Sequence, residues 1–105
     1  MALVFVQGDT APDLNAILHI KDNDAEVIDL TDCVVRFQMR KADDRRYTVN
    51  NEADIVSHVG GSVRYQWGPN DLSVEGDYLT QWEVTYSDDR VQTTESPETI
   101  TVRRQ

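Results

Sequence analysis

Three side chains are the obvious candidates for nucleophilic or metal chemistry: the single cysteine, Cys33, and the two histidines, His19 and His58. A thiol beside an imidazole can act as a nucleophile with its base, and zinc sites combine these residues at short spacings. Neither histidine has a cysteine or a second histidine at ligand spacing, and Cys33 stands at the head of an apolar segment. The pattern favours an inert, buried thiol and two histidines at the surface or rim of a sheet.

The acidic run 22–26, Asp-Asn-Asp-Ala-Glu, is a second candidate, because it places oxygen ligands at alternate positions, as in the first half of a calcium loop. A calcium loop continues with a glycine and ends with a bidentate glutamate. Here Val27 and Cys33 occupy those two positions. We therefore predict a solvated hairpin tip over 21–26, with no metal and no cofactor.

Paired carboxylates occur at 43–44 and 88–89, where both residues of each pair are aspartates. Adjacent residues of an extended chain point to opposite faces, so neither pair is a natural acid–base dyad. The chain has no glycine-rich phosphate loop and no Gly-x-Ser-x-Gly elbow. We predict no enzymatic activity and no small-molecule substrate. A group of arginines around one strand end either meets an acidic partner or pairs with neighbouring carboxylates: Arg36, Arg40, Arg45 and Arg46.

The charge balance limits the possible partners, since 19 acidic residues against 10 basic ones give a formal net charge of -9. Such a surface repels phosphate backbones, which argues against nucleic-acid binding. One cysteine allows no internal disulfide, and no apolar run reaches the length of a membrane span. The acidic residues are mostly aspartate and the basic ones mostly arginine. This bias is consistent with adaptation to high salt, where screening relieves self-repulsion, and also with an ordinary acidic domain.

The stretch 76–86 is the strongest structural signal in the chain. One side of its period-2 ribbon carries Tyr78, Thr80, Trp82, Val84 and Tyr86, and the other carries Leu79, Gln81, Glu83 and Thr85. Strict alternation over this length predicts a half-buried strand, and its aromatic residues are the bulkiest available for a core. We therefore predict that it is the central strand of a small β-sandwich. Tyr78 follows a turn at its start and is either a tyrosine corner or a plain core residue.

Turn signals divide the remaining chain into short extended segments at intervals of about 8–12 residues, as in all-β sandwiches. The predicted strands are 2–7, 14–20, 27–30, 33–41, 47–49, 53–59, 62–67, 90–94 and 98–104. Turns are predicted at 50–52 and 95–97, and 72–75 forms either one helical turn or a loop. No segment has an apolar stripe at helical spacing. The expected fold is one all-β domain over 1–105, an immunoglobulin-like antiparallel β-sandwich of about 7–9 short strands.

The inward register of these strands predicts the core. Its members are Val35, Phe37, Met39, Val63, Tyr65, Trp67, Tyr78, Trp82 and Val84. Both tryptophans fall inward, which weighs against an exposed aromatic platform for carbohydrate.

Four blocks recur in a family-like order, and the residues that carry the resemblance are 8–14 (GDTAPDL), 28–40 (IDLTDCVVRFQMR), 61–67 (GSVRYQW) and 76–86 (GDYLTQWEVTY). Together they resemble the immunoglobulin-like N-terminal domain of the upper baseplate proteins of tailed phages, which also occurs alone as a small virion protein. The chain departs from the family at Asp32-Cys33, where small residues are usual, and it stops at Gln105 without the receptor-binding region of long members. Host recognition by this polypeptide is therefore not expected.

The resemblance implies a non-enzymatic structural component of a tailed virus, a tail or baseplate adaptor or a virion decoration protein. It would be made in the host cytoplasm and held in the virion by other virion proteins and copies of itself, without nucleic acid or membrane. The acidic surface suggests a salt-loving, archaeal host. The alternative is a carbohydrate- or host-surface-binding module. We expect contacts from the loop 22–26 and from Arg36, Gln38, Arg40, Asp43, Asp44, Arg45 and Arg46.

Overall fold

The computed structural model describes the backbone of residues 2–20 and 23–105, and the side chains in these ranges except those at 2, 20, 23–26 and 95–98. The described chain forms ten strands and no helix, so it contains no helix that could cross a bilayer. The strands are β1 (Ala2–Val6), β2 (Leu14–Ile17), β3 (His19–Ile20), β4 (Asn23–Val27), β5 (Val34–Lys41), β6 (Tyr47–Glu52), β7 (Asp54–Ser57), β8 (Ser62–Tyr65), β9 (Gly76–Thr85) and β10 (Val91–Arg103).

Five strands form the larger sheet, in the order β1-β10-β9-β5-β6. The strand predicted to be central, β9, is the third of the five and pairs antiparallel with both β5 and β10. The first strand, β1, lies parallel to β10 at one edge, and β6 forms the other edge.

A second layer is built from the three-stranded sheet β2-β8-β7 and the hairpin β3-β4. Two backbone hydrogen bonds join these pieces: Leu18 N donates to Gly61 O at 2.8 Å, and Ile28 N donates to Leu18 O at 2.8 Å. The apolar faces of the two layers enclose the core, because alternate residues of each strand point toward the other layer. The predicted all-β sandwich is confirmed.

Phe37 lies at the centre of an aromatic cluster between the layers. Its ring stacks on Tyr65 with centroids 4.6 Å apart, lies 5.0 Å from Trp82, and meets Trp67 edge-on at 5.6 Å. Such offset and edge-to-face contacts add to the stabilisation from burial. Every residue that the inward register assigns to the core is buried: Val35, Phe37, Met39, Val63, Tyr65, Trp67, Tyr78, Trp82 and Val84.

Tyr78 adopts the tyrosine-corner arrangement. Its ring is buried, and its hydroxyl donates a hydrogen bond of 2.6 Å to the carbonyl oxygen of Val74, four residues upstream. Burial raises the pKa of this hydroxyl, so the phenol remains a donor at neutral pH.

Two predicted turns are wrong, because both segments belong to strands of the larger sheet. Asn50 and Asn51, predicted in a turn, belong to β6 and pair with Gln38 and Phe37. The segment 95–97 lies inside β10, which runs unbroken to Arg103 with a bulge-like shift in register. Turn-forming residues here are accommodated in edge or irregular strand positions.

The second layer differs from prediction in three places. The segment 14–20 divides at Leu18 into β2 and β3. Residues 23–26, predicted as part of a loop tip, belong to β4 together with Val27. The segment 28–30 is not a strand. Residues 72–75 form a loop without a helical turn, in which Leu72 is buried and accepts a 2.9 Å hydrogen bond from Gly8 N.

Candidate docking face

The outward side chains of β6, β5 and β9 form three rows across the larger sheet. Arg36 lies between Glu52 and Glu83, Gln38 between Asn50 and Gln81, and Arg40 between Tyr47 and Leu79. We call these nine residues the outer face. It carries two arginines and two glutamates, and therefore no net charge, in a chain whose net charge is -9.

A polar network ties the middle row together. Gln81 Nε2 donates to Gln38 Oε1 at 2.6 Å and to the Tyr47 hydroxyl at 2.7 Å. Gln38 Nε2 in turn donates to Asn50 Oδ1 at 3.3 Å and to Glu83 Oε2 at 3.4 Å. These bonds hold the outer face in a defined arrangement and satisfy its central polar groups.

Gln38 is the predicted contact residue that the structure places differently. It is only 4% exposed, because side chains from the two neighbouring strands close over it. It orders the residues around it and offers little surface of its own. Arg36 and Arg40 are half-buried beside it.

The charged loop 43–46 lies next to the outer face. Arg40 donates from its guanidinium to the carbonyl oxygen of Asp44 at 2.9 Å, which links the loop to β5. Arg46 donates from its backbone N–H to the Asp44 carboxylate at 3.0 Å and pairs with it at 3.4 Å. These interactions, the backbone bond foremost, hold the pKa of Asp44 below its ordinary value. Asp43, Arg45 and Arg46 are exposed, so the predicted contact residues on β5 and in this loop form one continuous region.

Six members of the outer face were not among the predicted contacts: Tyr47, Asn50, Glu52, Leu79, Gln81 and Glu83. The alternation of β9 already places three of them on the outward side. The missing information was that β9 and β6 flank β5, which depends on tertiary pairing. The side chains of 23–26, and residues 21 and 22 entirely, lie outside the described residues, so the predicted contacts of 22–26 are not located.

The chemistry-bearing residues lie apart from this face. Cys33 is half-buried, and burial together with the nearby Asp29, Asp32 and Asp88 raises the pKa of its thiol. His58 is exposed and His19 is half-buried. In the described part of the chain, no three histidine, cysteine or acidic residues are placed to hold a metal ion.

Hydrogen bonds of the Tyr65 hydroxyl link the loop after β8 to the core. Its hydroxyl donates to the carboxylate of Asp71 and accepts from Asn51 Nδ2 at 3.0 Å. The same Asp71 oxygen accepts a 2.7 Å hydrogen bond from Gly68 N, which closes the turn. Burial and the carboxylate raise the pKa of Tyr65 to about 12. This network is structural and joins the two layers at the end opposite the Gly61 turn.

Comparison with protein-family models gives a match over most of the chain. The family model of the BppU N-terminal domain matches residues 4–99, nearly the whole chain. A search of curated proteins finds no match. Domains of this kind contact other proteins of the virion. The chain therefore belongs to the family of BppU N-terminal domains, structural domains of the phage baseplate upper protein.

Proposed function

We propose that this chain is a single immunoglobulin-like domain over 1–105 that acts without catalysis as a tail or baseplate adaptor, or as a decoration protein of a tailed virus. Many copies, each bound weakly, would act together through effective concentration in a symmetric assembly. The observation that carries the proposal is the family match over residues 4–99. The outer face supports it, because it has no net charge and contains Tyr47 and two arginines, residue types that are enriched in protein interfaces.

Purified virus particles provide the test. We expect mass spectrometry to find this chain in several copies per particle, and antibody-gold labelling or particle imaging to place it on the tail, baseplate or shell. Synthesis in the host cytoplasm followed by incorporation predicts its presence in mature particles as well as in infected cells. Its absence from washed, infectious particles would refute a virion role.

The two tryptophans, which could stack on a sugar in a carbohydrate-binding module, are not exposed. Trp67 and Trp82 are 5% and 1% exposed, so neither offers a ring to a sugar. The outer face presents Tyr47 alone among aromatic residues, 45% exposed. We therefore keep protein–protein contact as the proposed activity.

We propose further that the Asp-rich surface is an adaptation to high salt, in a virus of a salt-loving archaeal host. The Debye length falls from about 30 Å at 0.01 M salt to about 3 Å at 1 M, so screening should relieve repulsion among the exposed carboxylates. We expect the free energy of unfolding to rise as KCl is increased over this range, measured by urea denaturation.

A triple variant supplies the control for salt dependence. Asp32→Asn, Asp43→Asn and Asp89→Asn remove three exposed charges, and asparagine tolerates the positive φ of positions 32 and 89. The variant should depend less on KCl than the parent chain. Equal stability of the parent in dilute buffer and in 1 M KCl would contradict adaptation to salt.

A further inference from the structure

The strand β6 is one edge of the larger sheet, so one side of its backbone has no neighbouring strand in that sheet. The hydrogen bond from Ala53 N to Val35 O continues the register of the β5–β6 ladder and fixes which backbone groups of β6 face β5. In an antiparallel pair these groups alternate along the strand. The N–H and C=O groups of Asn50 and Glu52 therefore point away from β5, where another strand could bind them.

One of these outward groups is occupied by a side chain of the neighbouring strand. Arg36 extends from β5 across β6 and donates from Nη2 to the carbonyl oxygen of Asn50 and from Nε, at 3.0 Å, to Asn50 Oδ1. The two bonds hold both the backbone and the side chain of Asn50. A second strand that paired with β6 at this position would have to displace the guanidinium, and charge-assisted hydrogen bonds are the costly ones to lose.

Ion pairing does not explain the orientation of Arg36. Glu52 and Glu83 flank it on the two neighbouring strands, yet the ion pairs among the described side chains include neither carboxylate. The half-buried side chain binds instead to the carbonyl group at the sheet edge. Arg40 lies two residues further along the same face and donates to the carbonyl oxygen of Asp44 in a loop, so it provides a natural comparison.

The opposite edge of the sheet, β1, also has outward groups bound by a nearby residue. Gln7 N donates to Arg103 O, so the backbone groups of the even-numbered residues of β1 point away from β10. Asp9 binds both outward groups of Val6: its carboxylate accepts from Val6 N at 2.9 Å, and its N–H donates to Val6 O at 3.0 Å. Both edges of the larger sheet therefore carry a local contact at a position where another strand could pair.

We propose that Arg36 is a cap on the β6 edge, which prevents the larger sheet from pairing with the same sheet of another copy. Without the cap, two β6 edges can pair antiparallel about Asn50, because a two-fold axis brings identical edges together. The cap is an inhibitory contact within the fold, and it acts wherever the chain is concentrated. The inference does not depend on the proposed function, because it concerns the purified chain alone.

Arg36→Ala and Arg40→Ala form a matched pair of variants. Each removes one half-buried arginine from the same face of β5, and only Arg36 contacts the β6 edge. In sedimentation equilibrium we expect Arg36→Ala to self-associate at least about tenfold more tightly than the parent chain, and Arg40→Ala to behave like the parent. A factor of ten corresponds to about the net contribution of one hydrogen bond to a charged group.

Proline at position 52 shows whether the β6 edge is the surface that pairs. In the Arg36→Ala background, Glu52→Pro removes an outward N–H group that the β5–β6 ladder does not use, so the double variant should return to the behaviour of the parent chain. Glu52→Ala in the same background removes the same carboxylate but keeps the N–H group, and should still associate. Hydrogen exchange of associated Arg36→Ala should show new protection at the amides of Asn50 and Glu52.

Four results would overturn the inference: an Arg36→Ala variant as monomeric as the parent chain, equal association of Arg40→Ala, association that survives Glu52→Pro, or association without protection of the Asn50 and Glu52 amides. Far-ultraviolet circular dichroism and urea denaturation of each variant show whether the fold is intact before association is compared. Association that follows the loss of stability across the variants, whether or not the cap is present, also counts against it.

Discussion

Trp82→Ala is expected to remove about 3–5 kcal/mol from the free energy of unfolding, the usual cost of truncating a buried aromatic ring. Trp82 is 1% exposed and lies in the central strand β9. Its ring centroid lies 5.0 Å from that of Phe37, the residue paired with it on β5. The cavity would open at the middle of the sandwich, where strands on both sides prevent collapse. The total free energy of unfolding of a domain of this size is only about 5–15 kcal/mol. A substantial unfolded population of the variant is therefore expected.

Urea denaturation measures this loss, and Trp67 still reports unfolding by fluorescence in the variant. Trp82→Phe should cost less, because it keeps an aromatic ring against Phe37. Val74→Ala, at a residue 51% exposed, serves as the surface control and should change stability by less than about 0.5 kcal/mol. A loss below about 1 kcal/mol for Trp82→Ala would show that the core around Phe37 does not depend on this ring.

The longest strands were predictable because burial imposes a period of two on them. In β9, buried residues alternate with more exposed ones over 77–85, and in β5 apolar residues alternate with polar ones over 35–40. A shift of one residue would turn the buried set outward. This constraint is strong enough to place Phe37 and Trp82 correctly without knowledge of which strands are neighbours. The family resemblance carried by the same blocks indicated a phage-baseplate setting.

Predictions from turn-forming residues failed where the segment belongs to a strand of the larger sheet. Asn50 and Asn51 favour turns, yet pairing with β5 keeps them extended, and Asn51 also donates to the Tyr65 hydroxyl at 3.0 Å. Pro97 suggests a break, but β10 continues past it after a shift in register. Both effects depend on partners that are distant in sequence.

The candidate docking face was predicted only along β5, for a related reason. Alternation assigns Arg36 and Arg40 to an outward face, but it does not say which side chains lie beside them. The burial of Gln38 is the clearest consequence, since it follows from Gln81 and Asn50 closing over it from two other strands. Charge neutrality of the face likewise emerges only when residues of three strands are brought together.

Gly61→Ala is expected to destabilise the fold by about 3 kcal/mol or more, because it combines a strained backbone with a steric clash. Gly61 has φ of 66°, and an added Cβ would lie 2.9 Å from the carbonyl oxygens of both Leu18 and Ile28. Neither oxygen belongs to a flexible side chain. The backbone of Leu18 is held at both ends, since its N–H donates to Gly61 O and its carbonyl accepts from Ile28 N.

Gly8→Ala is the matched control, because it separates the cost of a strained backbone from the cost of a steric clash. Gly8 has φ of 88°, but an added Cβ there would have no atom within 4 Å, so only the conformational cost of about 1–2 kcal/mol should appear. The difference between the two variants in urea denaturation measures how rigidly β2, β3 and β8 meet at the Gly61 turn. Equal losses of unfolding free energy in the two variants would mean that the backbone of the second layer shifts to accommodate the added Cβ. The junction between β2-β8-β7 and β3-β4 would then be less rigid than its hydrogen bonds indicate.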